Sequence, residues 1–222
     1  MTRIARVVVP GFPHHITQRG NRRQKTFFRD EDYEAYFDLM AKYCRKCGVE
    51  IWAYCLMPNH VHLVAVPETE ESLRRAIAEA HRRYTRMINF RERWRGYLWQ
   101  GRFASFPMDD EYLFRAARYI EMNPVRAGLV DRPEEYRWSS AGAHLTGLDD
   151  KLVKAAPLLD KSIDWGEYLR QAESEEFAGR LRRHQRTGRP FGGPGLLEKI
   201  QQLLSRDLKP KKRGRKPKKG TK

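Results

Sequence analysis

The apolar segment 51–66, interrupted by Pro58-Asn59, constrains the fold of this chain more than any other part of its sequence. It is rich in β-branched and aliphatic side chains, and proline followed by asparagine favours a tight turn between two strands. Side chains of a strand alternate between its faces, so His60 and His62 are predicted to share one face while Val61 lies on the other. The sequence therefore predicts a strand pair that presents two neighbouring imidazoles.

The remaining periodicity predicts the order β-α-β-β-α-β followed by a third helix. The predicted strands cover residues 7–19, 49–57, 60–66 and 97–108. The predicted helices cover residues 31–46, residues 72–89, and a segment from Asp109 or Asp110 to Asn123-Pro124. This order is typical of a ferredoxin-like (RRM-like) α+β fold, a four-stranded antiparallel sheet with crossing helices. We expect the added third helix to lie near the two histidines.

Three regions are predicted along the chain. Residues 1–146 contain the sheet and its helices. Residues 147–187 form a charged extension whose pattern is helical over 151–186. Residues 188–222 combine a Gly/Pro linker, a short helix at 196–204 and a basic tail that we expect to be disordered in isolation.

The chain has a formal charge of +16, and the charge is spread over both the tail and the rest of the sequence. Residues 209–222 contain nine Lys/Arg and no acidic residue, and subtracting nine leaves +7 for the remainder. A solvated charged surface rarely leaves both parts so unbalanced. The charge therefore points to a polyanionic partner, of which nucleic acid is the usual one.

Composition also indicates the class of protein and its compartment. Hydrophobic residues make up 40% of the chain, which is typical of a folded protein. No apolar run has membrane-spanning length and the N-terminus lacks the apolar core of a signal peptide, so we expect a cytoplasmic protein. Three cysteines argue against a disulfide framework. Cys44 and Cys47 have the spacing of half a zinc site, but no second pair follows, and idle thiols are the simpler interpretation.

The two histidines of the predicted third strand can be interpreted in two ways. His60 and His62, side by side on one face, could hold a divalent metal, since imidazole is a good ligand for transition metals. Alternatively, they simply lie on a half-buried strand. The pair alone does not decide between a metal site and a structural role.

The third predicted helix carries a tyrosine beside its apolar stripe. At about 100° per residue, that stripe consists of Leu113, Ala116, Ala117 and Ile120. Tyr119 and Asn123 share the neighbouring face next to Arg115, and Tyr112 falls on nearly the same line. Nearby positive charge favours a phenolate, so Tyr119 is a candidate nucleophile. The alternative is an amphipathic tyrosine at the edge of the core, with asparagine before proline ending the helix.

Five separated motifs resemble those of one known family. They read QRGN at 18–21, PNHVH at 58–62, LWQGRF at 98–103, RYIEMNPVRAG at 118–128 and WSS at 138–140. In this order they strongly resemble the REP-associated tyrosine transposases, a bacterial branch of the HUH single-strand nucleases related to insertion-sequence transposases. The resemblance covers about residues 7–145.

The resemblance implies a role for each matching residue. His60 and His62 would be the metal ligands, Tyr119 the single nucleophilic tyrosine, and Asn123 the polar residue that completes the metal site; related transposases often have glutamine there. It implies a divalent metal, Mg²⁺ or Mn²⁺, and a 5′-phosphotyrosine intermediate. It also implies cleavage of single-stranded DNA next to chromosomal repeat hairpins that carry a short guide tetranucleotide.

Basic and aromatic side chains are the candidate DNA contacts. The candidate phosphate-binding residues are Arg19, Arg82, Arg83, Arg102, Arg115, Arg118, Lys211, Lys212, Arg213 and Arg215. Trp94, Trp99 and Phe103 could stack on unpaired bases or pack in the core.

Two other functions fit the same sequence. A non-catalytic nucleic-acid binder on a similar sheet would also be basic and aromatic, but would not need His60, His62 and Tyr119 close together. A metal-dependent hydrolase that uses water would keep the histidines and dispense with the tyrosine. Insertion-sequence relatives work as dimers, some with exchanged tyrosine helices; the long C-terminal extension here could replace such a partner and favours a monomer over a homodimer.

Overall fold

The computed structural model describes residues 5–159, 163–172 and 174–209. Its strands are β1 His14–Arg19, β2 Val49–Met57, β3 His60–Pro67 and β4 Ala104–Pro107. They form an antiparallel sheet in the order β2-β3-β1-β4, with the first and third strands as neighbours. Its helices are α1 Asp30–Lys46, α2 Ser72–Arg91, α3 Asp110–Glu121, α4 Asn123–Arg126, α5 Ala141–Thr146, α6 Trp165–Arg170, α7 Glu175–Thr187 and α8 Leu196–Leu204. The predicted ferredoxin-like fold is confirmed.

Alternation along β3 separates two hydrophobic cores. Val61, Leu63 and Ala65 pack on one side of the sheet with helices α1 and α2. Val64 packs on the other side with helix α3, and His62 faces the same side. The third helix therefore lies beside the histidines, as the sequence predicted.

Strand β1 is shorter than predicted. It begins at His14, whereas the apolar pattern placed its start at residue 7. Pro10 and Pro13 have no N–H to donate to a neighbouring strand, and Gly11 turns the chain with a φ of 74°. Of the valines that suggested a longer strand, Val7 and Val9 are buried against helix α8, and Val8 packs against the core formed with α1 and α2.

Strand β4 is also shorter, with four residues in place of the predicted segment 97–108. Gly101 adopts a φ of 67°, which ends the extended conformation. The residues before it form a loop in which the Gln100 N–H donates to the Arg19 carbonyl at 2.8 Å. This bond fixes the loop to the end of β1.

The segment 151–186, whose pattern is helical, is helical only in part. The chain there forms two helices whose N-termini are capped by the side chains of Asp164 and Ser174, which accept hydrogen bonds from backbone N–H groups. Val153 instead pairs with Ile51 of β2. Caps and local pairing override helical periodicity in this segment. Helix α8 matches its predicted bounds.

The C-terminal extension shares a core with helix α3. Its buried side chains in that core are Leu158, Trp165, Leu169, Phe177, Ala178, Leu181 and Phe191. Removing one large apolar side chain from water contributes about 1.5–3 kcal/mol, so these contacts hold the extension firmly against α3. The proposed division at residues 146 and 187 stays a prediction, and the disorder expected for the tail concerns residues outside the described part from 210 onward.

Two further observations bear on the predicted class of protein. Within the described ranges, no helix is long and apolar enough to cross a membrane. Cys44 and Cys55 are buried free thiols, and burial raises the pKa of Cys44 to about 12. Among the same residues, no three His, Cys, Asp or Glu side chains are grouped to hold a metal, so Cys44 and Cys47 acquire no further ligand of these types.

Candidate active site

Strand β3 places His60 and His62 next to each other at the end of the sheet. In the register of the two central strands, His60 is opposite Arg19 and His62 opposite Thr17. The imidazole centroids are 5.0 Å apart, with their planes 81° from parallel. Both rings lie on the α3 side because residues two apart on a strand share a face.

One nitrogen of each imidazole is anchored by a neighbour. His60 Nδ1 lies 2.6 Å from Asn59 Oδ1, and His62 Nδ1 lies 3.0 Å from His15 Nε2. Such contacts to the second ring nitrogen fix the orientation and tautomer of metal-binding histidines. In the described part of the chain, neither Nε2 makes a hydrogen bond, so each can serve as a ligand atom.

Burial keeps both rings neutral. Burial, assisted by the Arg19 guanidinium, lowers the pKa of His60 to about 4. The pKa of His62 is lowered well below its usual value, mainly by burial. Neutral imidazole is the form that binds metal, so both histidines are ready to act as ligands near pH 7.

Tyr119 lies beside the histidines on helix α3. The helix starts at Asp109, whose carboxylate accepts from the Tyr112 N–H at 3.1 Å. Its apolar residues pack in the second core, which orients the Tyr119 ring toward β3. The Tyr119 and His62 centroids are 6.2 Å apart at 77°, and Tyr119 is 7% exposed. One chain therefore brings Tyr119 beside His62, as the candidate nuclease site requires.

Arg126 joins Tyr119 to Asn123. Its guanidinium carbon lies 3.8 Å from the centroid of the Tyr119 ring. Its Nη2 donates to the Tyr119 carbonyl at 2.8 Å and to Asn123 Oδ1 at 2.9 Å. This arrangement depends on helix α4, which returns the chain so that Arg126 meets the end of α3. Positive charge is thereby fixed against the candidate nucleophile.

The donor set fits a divalent transition metal. His60 and His62 supply two neutral imidazole nitrogens, and Asn123 lines the same cleft. The Asn123 Oδ1 atom already accepts from Arg126 Nη2 at 2.9 Å, so only its second lone pair could bind a metal. Two nitrogens with an amide oxygen suit an ion such as Mn²⁺ better than Mg²⁺, which takes mainly oxygen ligands.

The site opens into a cleft of about 1090 Å³ that is lined by basic residues. Its lining contains no aspartate or glutamate in the described part of the chain. Its cationic side chains are Arg19, Arg22, Arg23, Arg102, Arg182 and Arg186. Arg22 and Arg23 have φ values of 53° and 62°, a conformation that non-glycine residues adopt at a cost and that often marks functional sites. The cleft can accept a polyanion next to the imidazoles.

The predicted DNA contacts divide by location. Arg19 and Arg102 line the cleft. Arg82 and Arg83 lie on helix α2, on the other side of the sheet, and both pair with Glu79. The structure therefore does not bring the arginines of α2 to the candidate active site.

The arginines of helix α3 are engaged with the extension. Arg115 stacks on Phe177 with its guanidinium carbon 3.9 Å from the ring centroid. Arg118 is 6% exposed and stacks on Tyr168 at 4.7 Å. The candidates in the basic tail lie outside the described residues; they are Lys211, Lys212, Arg213 and Arg215.

The three candidate stacking residues have different environments. Trp99 and Phe103 are buried and belong to the core formed with α1 and α2. Trp94 is largely exposed and contacts Phe28 edge to face, with ring centroids 5.6 Å apart. Of these three, only Trp94 has surface that a base could contact, and it is not among the residues that line the cleft.

Sequence reasoning missed several side chains that build the site. His15 contacts His62; strand alternation puts His15 and Thr17 on one face of β1, but only the register against β3 brings that face to His62. Glu121 is fully buried and accepts hydrogen bonds from Ser140, His144 and Trp165. No pattern in the sequence predicted that residues of helix α7 would line the cleft, because only the packing of the extension brings them to the sheet.

Comparison with known proteins places the chain among transposases. Residues 9–123 match the family described as IS200-like transposases. A Haemophilus influenzae protein named as a candidate REP-associated tyrosine transposase is 30% identical over 108 residues, which cover 44% of this chain and 61% of that relative. The match thus spans less than two thirds of the relative.

Two solved structures are also similar. A REP-associated tyrosine transposase bound to a REP hairpin superposes with a TM-score of 0.57 at 21% identity, covering 78% of this chain and 100% of that one. A protein described as a transposase of Deinococcus radiodurans R1 has a TM-score of 0.39 at 20% identity, covering 54% of this chain and 96% of the other. The first of these structures has the same fold as this chain. The resemblance to the REP-associated tyrosine transposases that the sequence motifs indicated is confirmed.

Proposed function

Since this chain belongs to the IS200-like transposase family, we propose that it is a metal-dependent single-stranded DNA endonuclease and strand transferase that cuts next to chromosomal repeat hairpins. The observation that carries the proposal is the position of the Tyr119 ring, 6.2 Å from the His62 ring in an arginine-lined cleft. A REP hairpin is the ligand of the similar solved structure, and we propose hairpin DNA of this kind as the substrate.

Tyr119 is the proposed nucleophile. Its hydroxyl oxygen attacks the scissile phosphorus, a bond from tyrosine oxygen to phosphorus forms, and the bond from phosphorus to the 3′ oxygen breaks. The tyrosine gives up its proton and the leaving 3′ oxygen gains one, so the products are a 5′-phosphotyrosine link and a free 3′-hydroxyl. Because the link is a phosphodiester, a second 3′-hydroxyl can reverse the step and rejoin the strand.

The surrounding residues position the strand and balance its charge. His60, His62 and Asn123 would hold a divalent metal, which when bound polarises the scissile phosphate and offsets charge on its oxygens. Arg126 fixes the Tyr119 ring and the Asn123 amide relative to each other. Arg19 and Arg102 provide positive charge for neighbouring phosphates.

A single chain supplies the whole proposed site. Tyr119 lies beside His62 of its own sheet, so no tyrosine helix from a second copy is needed. We therefore propose that the monomer is the active form. We also propose that it acts in the cytoplasm on the chromosome. Light scattering of the protein with and without hairpin DNA would measure the mass of the complex.

A covalent-capture experiment tests the proposed function. The protein is incubated with a pool of genomic hairpin oligonucleotides and Mn²⁺, and strands that stay attached after denaturation are sequenced. We expect adducts enriched in hairpins with a cut at one side, and none with chelator or with His60→Ala combined with His62→Ala. Full cleavage in chelator would remove the metal from the mechanism, and hairpin binding without any adduct would support the non-catalytic binder.

A further inference from the structure

Helix α7 forms one wall of the candidate active site, although it lies outside residues 9–123, which match the transposase family. Four of its residues line the cleft: Gly179, Arg182, Gln185 and Arg186. Spacings of three and four residues place them on one face of the helix. The opposite face carries Phe177 and Leu181, which are buried in the core shared with α3. The helix is thus held with a polar face toward the histidines.

The cationic residues of the cleft stand on two sides. The sheet and the segments next to β1 and β4 contribute Arg19, Arg22, Arg23 and Arg102. Helix α7 contributes Arg182, which pairs with Glu175 at 3.3 Å, and Arg186. Across the described residues, Arg186 makes no hydrogen bond or ion pair. An arginine left unpaired in a cleft without acidic residues is available for an anionic ligand.

Gln185 adds an unsatisfied donor to the same wall. Its Nε2 atom is buried and has no hydrogen-bond partner in the described part of the chain. Buried donors without acceptors destabilise the free protein, so their persistence points to a ligand atom that accepts the bond. Gly179 leaves open space, since a Cβ added there meets no atom within 4 Å. This wall of the cleft therefore offers a ligand positive charge, an unpaired hydrogen-bond donor and open space.

We infer that helix α7 is the second wall of a channel for single-stranded DNA. Arg182 and Arg186 bind the phosphodiester backbone, and Gln185 donates a hydrogen bond to an acceptor on the strand, across the cleft from Arg19. The strand passes between α7 and the sheet on its way past Tyr119. This inference rests on the proposed function, and it adds a strand-binding role for an element beyond the family region.

Arg186→Ala and Arg183→Ala form a matched pair for the test. Both residues are exposed on α7 and each change removes one charge, but only Arg186 lines the cleft. Binding of a fluorescent hairpin with a single-stranded flank is measured by anisotropy in the Tyr119→Phe background. The salt slope is the magnitude of the slope of log binding constant against log salt concentration. For Arg186→Ala we expect the salt slope to fall by about 0.7 and the Kd at roughly 0.1 M salt to rise about fivefold. Equal slopes for the two variants would overturn the inference.

Gln185→Leu separates strand binding from a structural role. It removes the unsatisfied donor at similar size, so we expect thermal stability to be kept or raised while the Kd for the flanked hairpin increases. Lower stability with unchanged affinity would show instead that Gln185 only supports the fold.

The two proposals fail in different ways. Adduct formation is measured separately, in proteins that keep Tyr119. If the unmodified protein forms no adduct but Arg186→Ala still weakens binding relative to Arg183→Ala, strand cleavage is wrong and the α7 wall stands. If adducts form and the two α7 variants bind alike, the proposed function stands and the wall is wrong.

Discussion

His15 Nε2 lies 3.0 Å from His62 Nδ1, and the two rings are 7° from parallel. When His62 binds a metal through Nε2, its hydrogen is on Nδ1 and is donated to His15. His15 then carries its own hydrogen on Nδ1, an atom that is buried without a partner among the described residues. The contact accommodates the tautomer that His62 needs as a ligand, with His15 Nε2 as the acceptor.

Removing this interaction should weaken metal binding. For His15→Leu we expect the affinity for Mn²⁺ to fall by about 10-fold or more, the usual effect of losing an outer partner of a ligating histidine. Titration calorimetry with metal alone measures this without any DNA. His81→Leu is the control, because His81 is a buried histidine bonded to Tyr36 on the other side of the sheet. A similar loss in both variants would contradict the role of His15.

Tyr119→Phe should abolish covalent adducts, whereas Tyr112→Phe should lower stability and leave adduct formation intact. Tyr119→Phe removes the nucleophile, so covalent adducts should disappear while folding and hairpin binding persist. The Tyr112 hydroxyl accepts from Arg180 at 2.8 Å, so Tyr112→Phe should cost about 0.5–1.5 kcal/mol of stability and leave adducts intact. Adduct yields and urea unfolding curves measure the two quantities. A normal adduct yield from Tyr119→Phe would make Tyr112 the next candidate.

The sequence predicted those parts of the fold and site that depend on local periodicity. Strand alternation placed His60 and His62 together, and the helical wheel of α3 placed Tyr119 beside its apolar stripe. The contact between His15 and His62 needs the register of β1 against β3, which no local pattern specifies. The approach of Gln185 to the cleft depends on how the extension packs, and the helical pattern of the extension did not show where its helices begin and end.

Glu121 should be a principal source of stability around the tyrosine helix. Its carboxylate accepts from Ser140 Oγ, His144 Nδ1 and Trp165 Nε1, and so ties α3 to α5 and α6. Glu121→Ala leaves His144 Nδ1 and Trp165 Nε1 buried without their acceptor, while Ser140 Oγ keeps the Tyr54 carbonyl, and we expect a loss of about 3 kcal/mol. Urea unfolding followed by tryptophan fluorescence measures the loss. A change below about 1 kcal/mol would show that water or other groups replace the carboxylate.

Buried histidines away from the cleft should make the protein acid-sensitive. Burial lowers the pKa of His14 to about 4 and that of His81 to about 3, from 6.5. Below about pH 6.5 the unfolded chain protonates both while the folded chain keeps them neutral, so the free energy of unfolding falls as pH drops toward 4. Each group contributes at most about 1.4 kcal/mol per pH unit. Urea unfolding across this range should be less pH-dependent in His81→Leu; an unchanged slope would refute the assignment.

Deleting residues 209–222 should weaken binding without removing cleavage. The deletion takes away nine positive charges, including four candidate DNA contacts, and none of the proposed catalytic or metal-binding residues. Removing one protein–phosphate interaction reduces the salt slope by about 0.7 for single strands or about 0.9 for duplex, so affinity should fall most at low salt. Phosphate contacts carry no base information, so matched and scrambled hairpins should lose affinity almost equally.

Adduct formation at saturating DNA should persist, because Tyr119 and the histidines are held by the sheet and α3. Anisotropy titrations over a range of salt, with both hairpins, measure the two effects; loss of discrimination between them would show that the tail reads sequence or shape.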